Sequence, residues 1–346
     1  MTNAAVTLDQ AVLAPYLEAN VPGFKGLNGI EKFSGGQSNP TFRLTADSGS
    51  YVLRSKPPGK LLRSAHQVDR EFRVMSALAP TKVPVPTMLH LSADAEDSPI
   101  GRQFYIMEYL DGRVLWDPAL PDLDVTERLA VYDQMNETLA DLHNVDIAAV
   151  GLTDFGRPGS YYERQLKTWT KNYRASETTP IPAMDRLIDW LEDNKPEDDG
   201  QVSLVHGDYR LDNVMFAKDA PRAIAVLDWE LSTLGHPLAD LAYQCTNWRL
   251  PHSGHFRGLA GVPRDGTGLP VEEDYIARYC ERRGIGQIDN WQFYIAFSFF
   301  RLGAILQGVY KRALDGNASQ PERAMTYGKA VPLLAQMAVD TIDKDA

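Results

Sequence analysis

Residues Leu204 to Glu230 read LVHGDYRLDNVMFAKDAPRAIAVLDWE, and the fold turns on how this stretch is parsed. Two short apolar runs, Val202 to Val205 and Ala223 to Leu227, have the β-branched and aliphatic content of strands, and each ends in polar residues that an apolar core would reject. Asp208 follows the first run, Asn213 comes five positions later and Asp228 closes the second. A hairpin-like fold of the two runs therefore gathers three oxygen-bearing side chains at one edge. Two carboxylates and an amide suit a hard cation such as magnesium, which takes oxygen ligands and keeps several waters, and they leave one carboxylate to orient a hydroxyl. That donor set suits phosphoryl transfer. A polar hairpin whose Asp and Asn cap turns would show the same letters, so the residues upstream must decide.

His206-Gly207-Asp208 with Asn213 resembles the H-G-D-x-x-x-x-N form of the kinase catalytic loop, and Leu227-Asp228-Trp229 resembles the metal-binding D-F-G segment with Trp in place of Phe. Gly after His and Trp after the metal Asp are marks of the aminoglycoside phosphotransferase and choline kinase family, to which the chain is similar. The resemblance implies an α+β, bilobal, protein-kinase-like fold. Residues 1–107 would form a small antiparallel-sheet lobe that binds nucleotide, residues 108–112 a hinge, and residues 113–346 a larger, mainly helical lobe holding catalytic and substrate-binding groups. It also implies ATP and Mg2+ as cofactors, with Asp208 as the base and Asn213 and Asp228 as metal ligands. Arg210 lies where protein kinases carry a lysine near the transferred phosphate, and is expected to stabilise charge there.

Upstream, the alternating runs Thr41 to Thr45 and Tyr51 to Arg54 follow a short strand and the loop Ser34-Gly35-Gly36-Gln37-Ser38-Asn39. Glycines in a turn between strands let backbone N–H groups approach a phosphate without Cβ obstruction, which makes Ser34, Gly35, Gly36 and Ser38 candidate nucleotide contacts. Taken alone, the loop suits a ligand-free hairpin equally well. Arg54 ends Val52-Leu53-Arg54 where the kinase pattern V-A-I-K puts its lysine, and Glu71 lies in a helical segment from Ser64 to Leu78. The resemblance makes these two a pair, with a planar fork in place of a point charge. An exposed ion pair of no consequence is the plainer reading, and Lys56 or Lys60 could supply a phosphate contact instead. Met107-Glu108-Tyr109-Leu110-Asp111-Gly112 resembles the kinase hinge, with backbone groups near Glu108 and Leu110 meeting the adenine edge and Met107 lining its pocket.

Beyond Asp228 there is no long activation segment. Gly235-His236-Pro237-Leu238-Ala239-Asp240-Leu241-Ala242 follows within about a dozen residues and resembles the family's G-D-P-x-x-D-L-A, with His236 in place of Asp. Asp240 is expected as a buried acid bonding back to the catalytic loop. Without a docking segment for a protein, a small molecule is the expected acceptor. Thr126 to Asn144 is amphipathic through Leu129, Tyr132, Met135, Leu139 and Leu142, with His143 as a packing residue. Tyr161 to Leu191 reads as two helices, on which Trp169, Tyr173 and Arg174 could face a substrate or lie in the core.

Composition sets the outer bounds. With 346 residues, 44% hydrophobic and 10% aromatic content, the chain has ample material for a two-lobed globular core. A formal net charge of −11 disfavours a nucleic-acid surface, which needs clustered Lys and Arg. Cys245 and Cys280 have no C-x-x-C spacing and read as free thiols of a cytoplasmic protein. The first residues carry no Lys or Arg ahead of an apolar run, so no secretory leader is expected. Trp291 to Tyr310 is long enough to span a bilayer, but Gln292, Arg301 and Gln307 interrupt it, and a buried core helix with no membrane is expected. The strings Pro57-Pro58-Gly59-Lys60, Ala65 to Glu71 and Ala225 to Leu231 resemble phosphotransferase domains that precede an acyl-CoA dehydrogenase in some larger proteins.

The reading is thus an ATP-dependent kinase acting on a small hydroxylated compound. A nucleotide-binding pseudokinase without turnover is the first alternative, argued by Arg54 in the lysine position, and a protein kinase is the second. The acceptor stays open between an aminoglycoside-like or choline-like cation and a hydroxy acid or its thioester. Neither the choice of ATP over GTP nor the oligomeric state is legible in the letters.

Overall fold

Helix α1 (Gln10–Asn20) starts where the Asp9 carboxylate accepts the Ala11 N–H, and it buries Leu13 and Leu17 against the first sheet. That sheet contains β1 (Leu27–Lys32), β2 (Thr41–Ala46) and β3 (Gly49–Ser55). Helix α2 (Val68–Leu78) intervenes before β4 (Met88–Leu91) and β5 (Phe104–Glu108) complete it, all antiparallel, in the order β1-β2-β3-β5-β4. The computed structural model describes residues 8–33, 39–58, 66–92, 96, 98–253, 256–317 and 320–343. The expected nucleotide contacts Ser34, Gly35, Gly36 and Ser38, together with Lys60, lie outside them. Helix α2 is described from Val68, shorter than the expected segment, and residues 59–65 also lie outside.

Strand periodicity sorts the side chains of β3. Leu53 faces an apolar cluster with Leu13, Leu17, Phe42 and Ile106, whereas Val52 points the other way, into the main core with Val74 and Met75 of α2. Arg54 shares the Val52 face, and Val68, Glu71, Met75 and Leu78 share the buried stripe of α2, so period two and period 3.6 bring Arg54 and Glu71 together.

After the hinge come β6 (Gly112–Val114), α3 (Val125–His143), α4 (Tyr161–Ser176), α5 (Pro182–Asp193) and β7 (Ser203–Val205). Then follow β8 (Val214–Ala217), β9 (Ala223–Val226), β10 (Thr233–Gly235), α6 (Leu238–Cys245), α7 (Glu272–Arg283), α8 (Trp291–Leu314) and α9 (Pro321–Asp343). The molecule is therefore a bilobal α+β fold with one antiparallel sheet on the amino-terminal side and helices dominating the other.

The two runs of the opening stretch do not form a hairpin with each other. Strand β8 lies between them in sequence and pairs with β9, while β7 pairs with β10. The reason is the apolar tetrapeptide Val214-Met215-Phe216-Ala217, short enough to pass as part of a loop yet sufficient for one strand. Leu129 is 52% exposed, and the buried face of α3 runs instead through Val131, Tyr132, Met135, Leu139 and Leu142. Tyr173 is fully buried and Arg174 pairs with Asp185, so that part of α4 is core and surface rather than substrate contact. Helix α8 is long and apolar enough to cross a membrane, and 67% of its most apolar window is buried in this structure. It packs against α4, α5, α6 and α9. The main apolar cluster takes in α2, Tyr105 and Met107 together with the helical lobe, so packing crosses the hinge that the sequence suggested as a divide.

Candidate active site

The loop from His206 to Asn213 sits directly after β7. Gly207 adopts φ 85°, and a Cβ there would lie 2.6 Å from the Leu231 carbonyl oxygen, so only glycine fits the turn. Buried Asp240, one turn into α6, accepts the backbone N–H groups of His206 at 2.6 Å and Gly207 at 2.8 Å. His143 closes this support: its Nε2 faces Asp240 Oδ2 at 3.3 Å and its Nδ1 lies 2.6 Å from the Tyr279 hydroxyl. Both ring nitrogens have partners, which makes it more than packing. The His206 ring donates from Nε2 to the Leu227 carbonyl at 2.8 Å and accepts at Nδ1 from the Asp208 N–H at 3.2 Å, tying the catalytic loop to the segment that ends in Asp228.

Asp208 and Asn213 are brought together as the spacing implied. Asn213 Nδ2 donates to the Asp208 carbonyl at 2.9 Å and to Asp208 Oδ2 at 3.1 Å, and the Leu227 N–H donates to the Asn213 carbonyl at 2.8 Å. Burial pushes the Asp208 carboxyl above its ordinary value, against the pull of Arg210 and of the Tyr243 phenol, which acts on it as a hydrogen-bond donor. Asp228 adopts φ 64°, in the left-handed region, which turns its side chain out of the strand and toward Arg54.

Arg54 bridges two carboxylates. Its Nε lies 2.8 Å from Glu71 Oε2 and its Nη2 2.6 Å from Asp228 Oδ1. Burial opposes the guanidinium charge, but Glu71, Tyr105 and Asp228 outweigh it and hold the group above its ordinary range. Glu71 is 1% exposed and also accepts from Asn39 Nδ2 at 2.7 Å and the Tyr105 hydroxyl at 3.1 Å. This is a buried network rather than an exposed pair. Lys56, the alternative phosphate contact, is 3.9 Å from Asp69.

The donor set fits one magnesium. Asn213 spends its nitrogen on Asp208, which leaves Oδ1 without a partner among the described residues, and Asp228 has its second carboxylate oxygen to offer. Two protein oxygens beside substrate phosphates are what this ion ordinarily accepts. At the hinge, the Glu108 N–H is already bonded to the Thr87 carbonyl at 3.0 Å, whereas Leu110 N–H and C=O have no partner among the described residues. Met107 is buried. Arg210 folds back onto Asp212, with Nη2 to Oδ2 at 2.7 Å, and does not reach Asp208 or Asp228 as an ion-pair partner.

Arg210 and Asp212 of the loop that carries Asp208, with Trp116, Tyr243, Arg257 and Arg323 among others, border a cavity of about 690 Å³. Asp212, its one acid, is already paired with Arg210, and neither Arg257 nor Arg323 has a carboxylate within ion-pair distance among the described residues. Tyr243, Arg257 and Arg323 escaped the sequence reading. Tyr243 could have been found, one turn after Asp240 on the same helix face; the two arginines carry no local pattern.

Comparison with known proteins bears on the family and the fold. Residues 29–262 match the phosphotransferase enzyme family. The chain is 50% identical over 315 residues to mouse acyl-CoA dehydrogenase family member 10, covering 91% of this chain and 29% of the relative. It is 42% identical over 333 residues to human acyl-CoA dehydrogenase family member 11, covering 95% of this chain and 42% of the relative. The chain thus spans less than half the length of the curated relatives it matches. Among solved structures, a candidate aminoglycoside phosphotransferase from Ralstonia eutropha superposes with a TM-score of 0.88 at 47% identity, covering 98% of this chain and 99% of the other. Spectinomycin phosphotransferase bound to ADP and spectinomycin shares the fold, with a TM-score of 0.62 at 13% identity over 97% of this chain and 99% of the other.

Proposed function

The chain belongs to the phosphotransferase enzyme family, and from that premise we propose that it moves the γ-phosphate of ATP to a hydroxyl of a small molecule. One observation carries the reading: Asp208 pairs with Asn213 and Arg54 with Asp228 on adjoining segments, and Arg210 and Asp212 of the same loop as Asp208 border a cavity roomy enough for an acceptor. Asn213 and Asp228 would hold the magnesium, whose charge offsets that of the phosphates. Arg54 steadies those phosphates, and Leu110 offers its backbone to the adenine edge. Asp208, raised by burial, is suited to orient the acceptor hydroxyl and take its proton. Positioning and charge neutralisation supply most of the rate in this chemistry.

The cavity rim favours an anionic acceptor over a cation. Arg257 and Arg323 would repel an amino-sugar or a choline head group and attract a carboxylate or phosphate. The names of the mouse and human relatives point the same way, toward a hydroxy acid or its thioester. A second reading, nucleotide binding without turnover, rests on Arg54 occupying Asp228. Incubation with γ-labelled ATP, Mg2+ and a panel of hydroxy acids, hydroxyacyl thioesters, choline and amino-sugars separates these. Label in the anionic compounds alone is expected. Label in the cations would overturn the acceptor class, and label in no compound, with nucleotide bound, would favour the second reading.

A further inference from the structure

Arg301 interrupts the most apolar helix of the chain. Its neighbours in α8 include Phe297, Phe299, Phe300, Gly303 and Ala304, all inside the core, and Arg301 itself is buried. No carboxylate lies within ion-pair distance of it among the described residues. A buried guanidinium without an acid is expensive, and for stability alone an apolar side chain of similar volume serves as well or better. The charge therefore calls for a reason beyond packing, and its contacts supply one.

Arg301 Nη2 donates to the Gly207 carbonyl at 2.8 Å, on the residue that precedes Asp208. Its guanidinium carbon also sits 5.8 Å from the centre of the Tyr243 ring and 5.7 Å from that of Trp169, so the cation lies against both aromatic faces. Tyr243 in turn borders the cavity together with Arg210 of the loop that carries Asp208. The amide side of the catalytic loop is held by Asp240 from α6; its carbonyl side is held by Arg301 from α8.

We propose that Arg301 is a positioning residue for phosphoryl transfer, fixing the loop that carries Asp208 through the Gly207 carbonyl and against the Tyr243 ring. The proposal rests on the reading of Asp208 as the base. Loss of the guanidinium frees the Gly207 peptide to rotate and the phenol to drift, so the carboxylate samples rotamers that miss the hydroxyl. Nucleotide is held by other residues, so its binding is untouched.

The test uses water as the acceptor: phosphate release from Mg·ATP with no alcohol added, for the wild type, Arg301→Met, Arg301→Lys, Tyr243→Phe and Asp208→Asn. Stoichiometry of AMP-PNP binding reports the folded fraction of each. Arg301→Met and Tyr243→Phe are expected to lower kcat by about 10-fold or more with KM for ATP and binding stoichiometry unchanged, and Arg301→Lys to fall between them and the wild type. Should Arg301→Met not fold, Arg301→Lys and Tyr243→Phe carry the comparison. Wild-type kcat in these variants while Asp208→Asn is inactive overturns the positioning role and leaves the base reading standing. Asp208→Asn at wild-type speed, or a wild type that releases no phosphate above the blank, defeats the base reading and the positioning role with it.

Discussion

Arg54 is where one residue decides most. A lysine there would reach one carboxylate, whereas the guanidinium fork reaches Glu71 and Asp228 at once. With Glu71 so deeply buried, Arg54→Met leaves an uncompensated charge, and a loss of about 3–5 kcal/mol is expected from urea denaturation. Arg54→Lys should lose less than half of that, and equal losses would show that the second arm matters more than the charge. Gly207 is the other such position. Gly207→Ala must hold a side chain at φ 85° against the Leu231 carbonyl, which costs about 1–3 kcal/mol and lifts the loop from Asp240. Thermal denaturation and turnover should both fall; an unchanged melting temperature would mean the turn has another solution. Both residues stood out in the sequence, because Gly207 completes a motif and Arg54 violates one.

At the scale of elements, legibility followed periodicity. The β2–β3 hairpin, α3 and the α8 core helix were readable because two alternating runs in succession, or a long helical pattern, outvote a single misfit. Strand β8 was not, because it follows directly on the motif residue Asn213 and passed as part of that loop, and its omission wrongly joined β7 to β9. The cavity that Arg210 borders was invisible for a different reason: Trp116, Tyr243, Arg257 and Arg323 are scattered through the chain and meet only after the helices pack. Helix α3 offers a control. Asp124 accepts the Glu127 N–H at 2.9 Å in a reciprocal cap far from the chemistry. Asp124→Ala should cost about 1 kcal/mol in denaturant with turnover unaffected, and a loss of turnover would show that α3 transmits to the catalytic loop.

Across the whole molecule, histidines wholly or partly buried contribute to how stability responds to acid. Burial holds His143 below its ordinary value of 6.5, and burial acts in the same direction on His66, His90 and His236. The unfolded chain takes up protons near that value which the folded chain refuses. The contribution of these groups is therefore complete above about pH 6.5 and is lost as pH falls. The urea midpoint should drop between pH 7.5 and pH 5.5, and by less in His143→Gln; a midpoint that rises on acidification would reverse the sign. The same packing that buries His143 runs unbroken from α2 through Met107 into the helical lobe, so the cleft is walled by one continuous core.

The proposed transfer depends on a division of labour between two carboxylates, one for the metal-bound nucleotide and one for the acceptor. Calorimetric titration of Mg·AMP-PNP into the wild type, Asp228→Ala and Asp208→Asn reads that division directly. Magnesium-dependent binding should vanish in Asp228→Ala and stay within about two-fold of the wild type in Asp208→Asn. Unaltered binding by Asp228→Ala, or its loss in Asp208→Asn, would contradict the assignment.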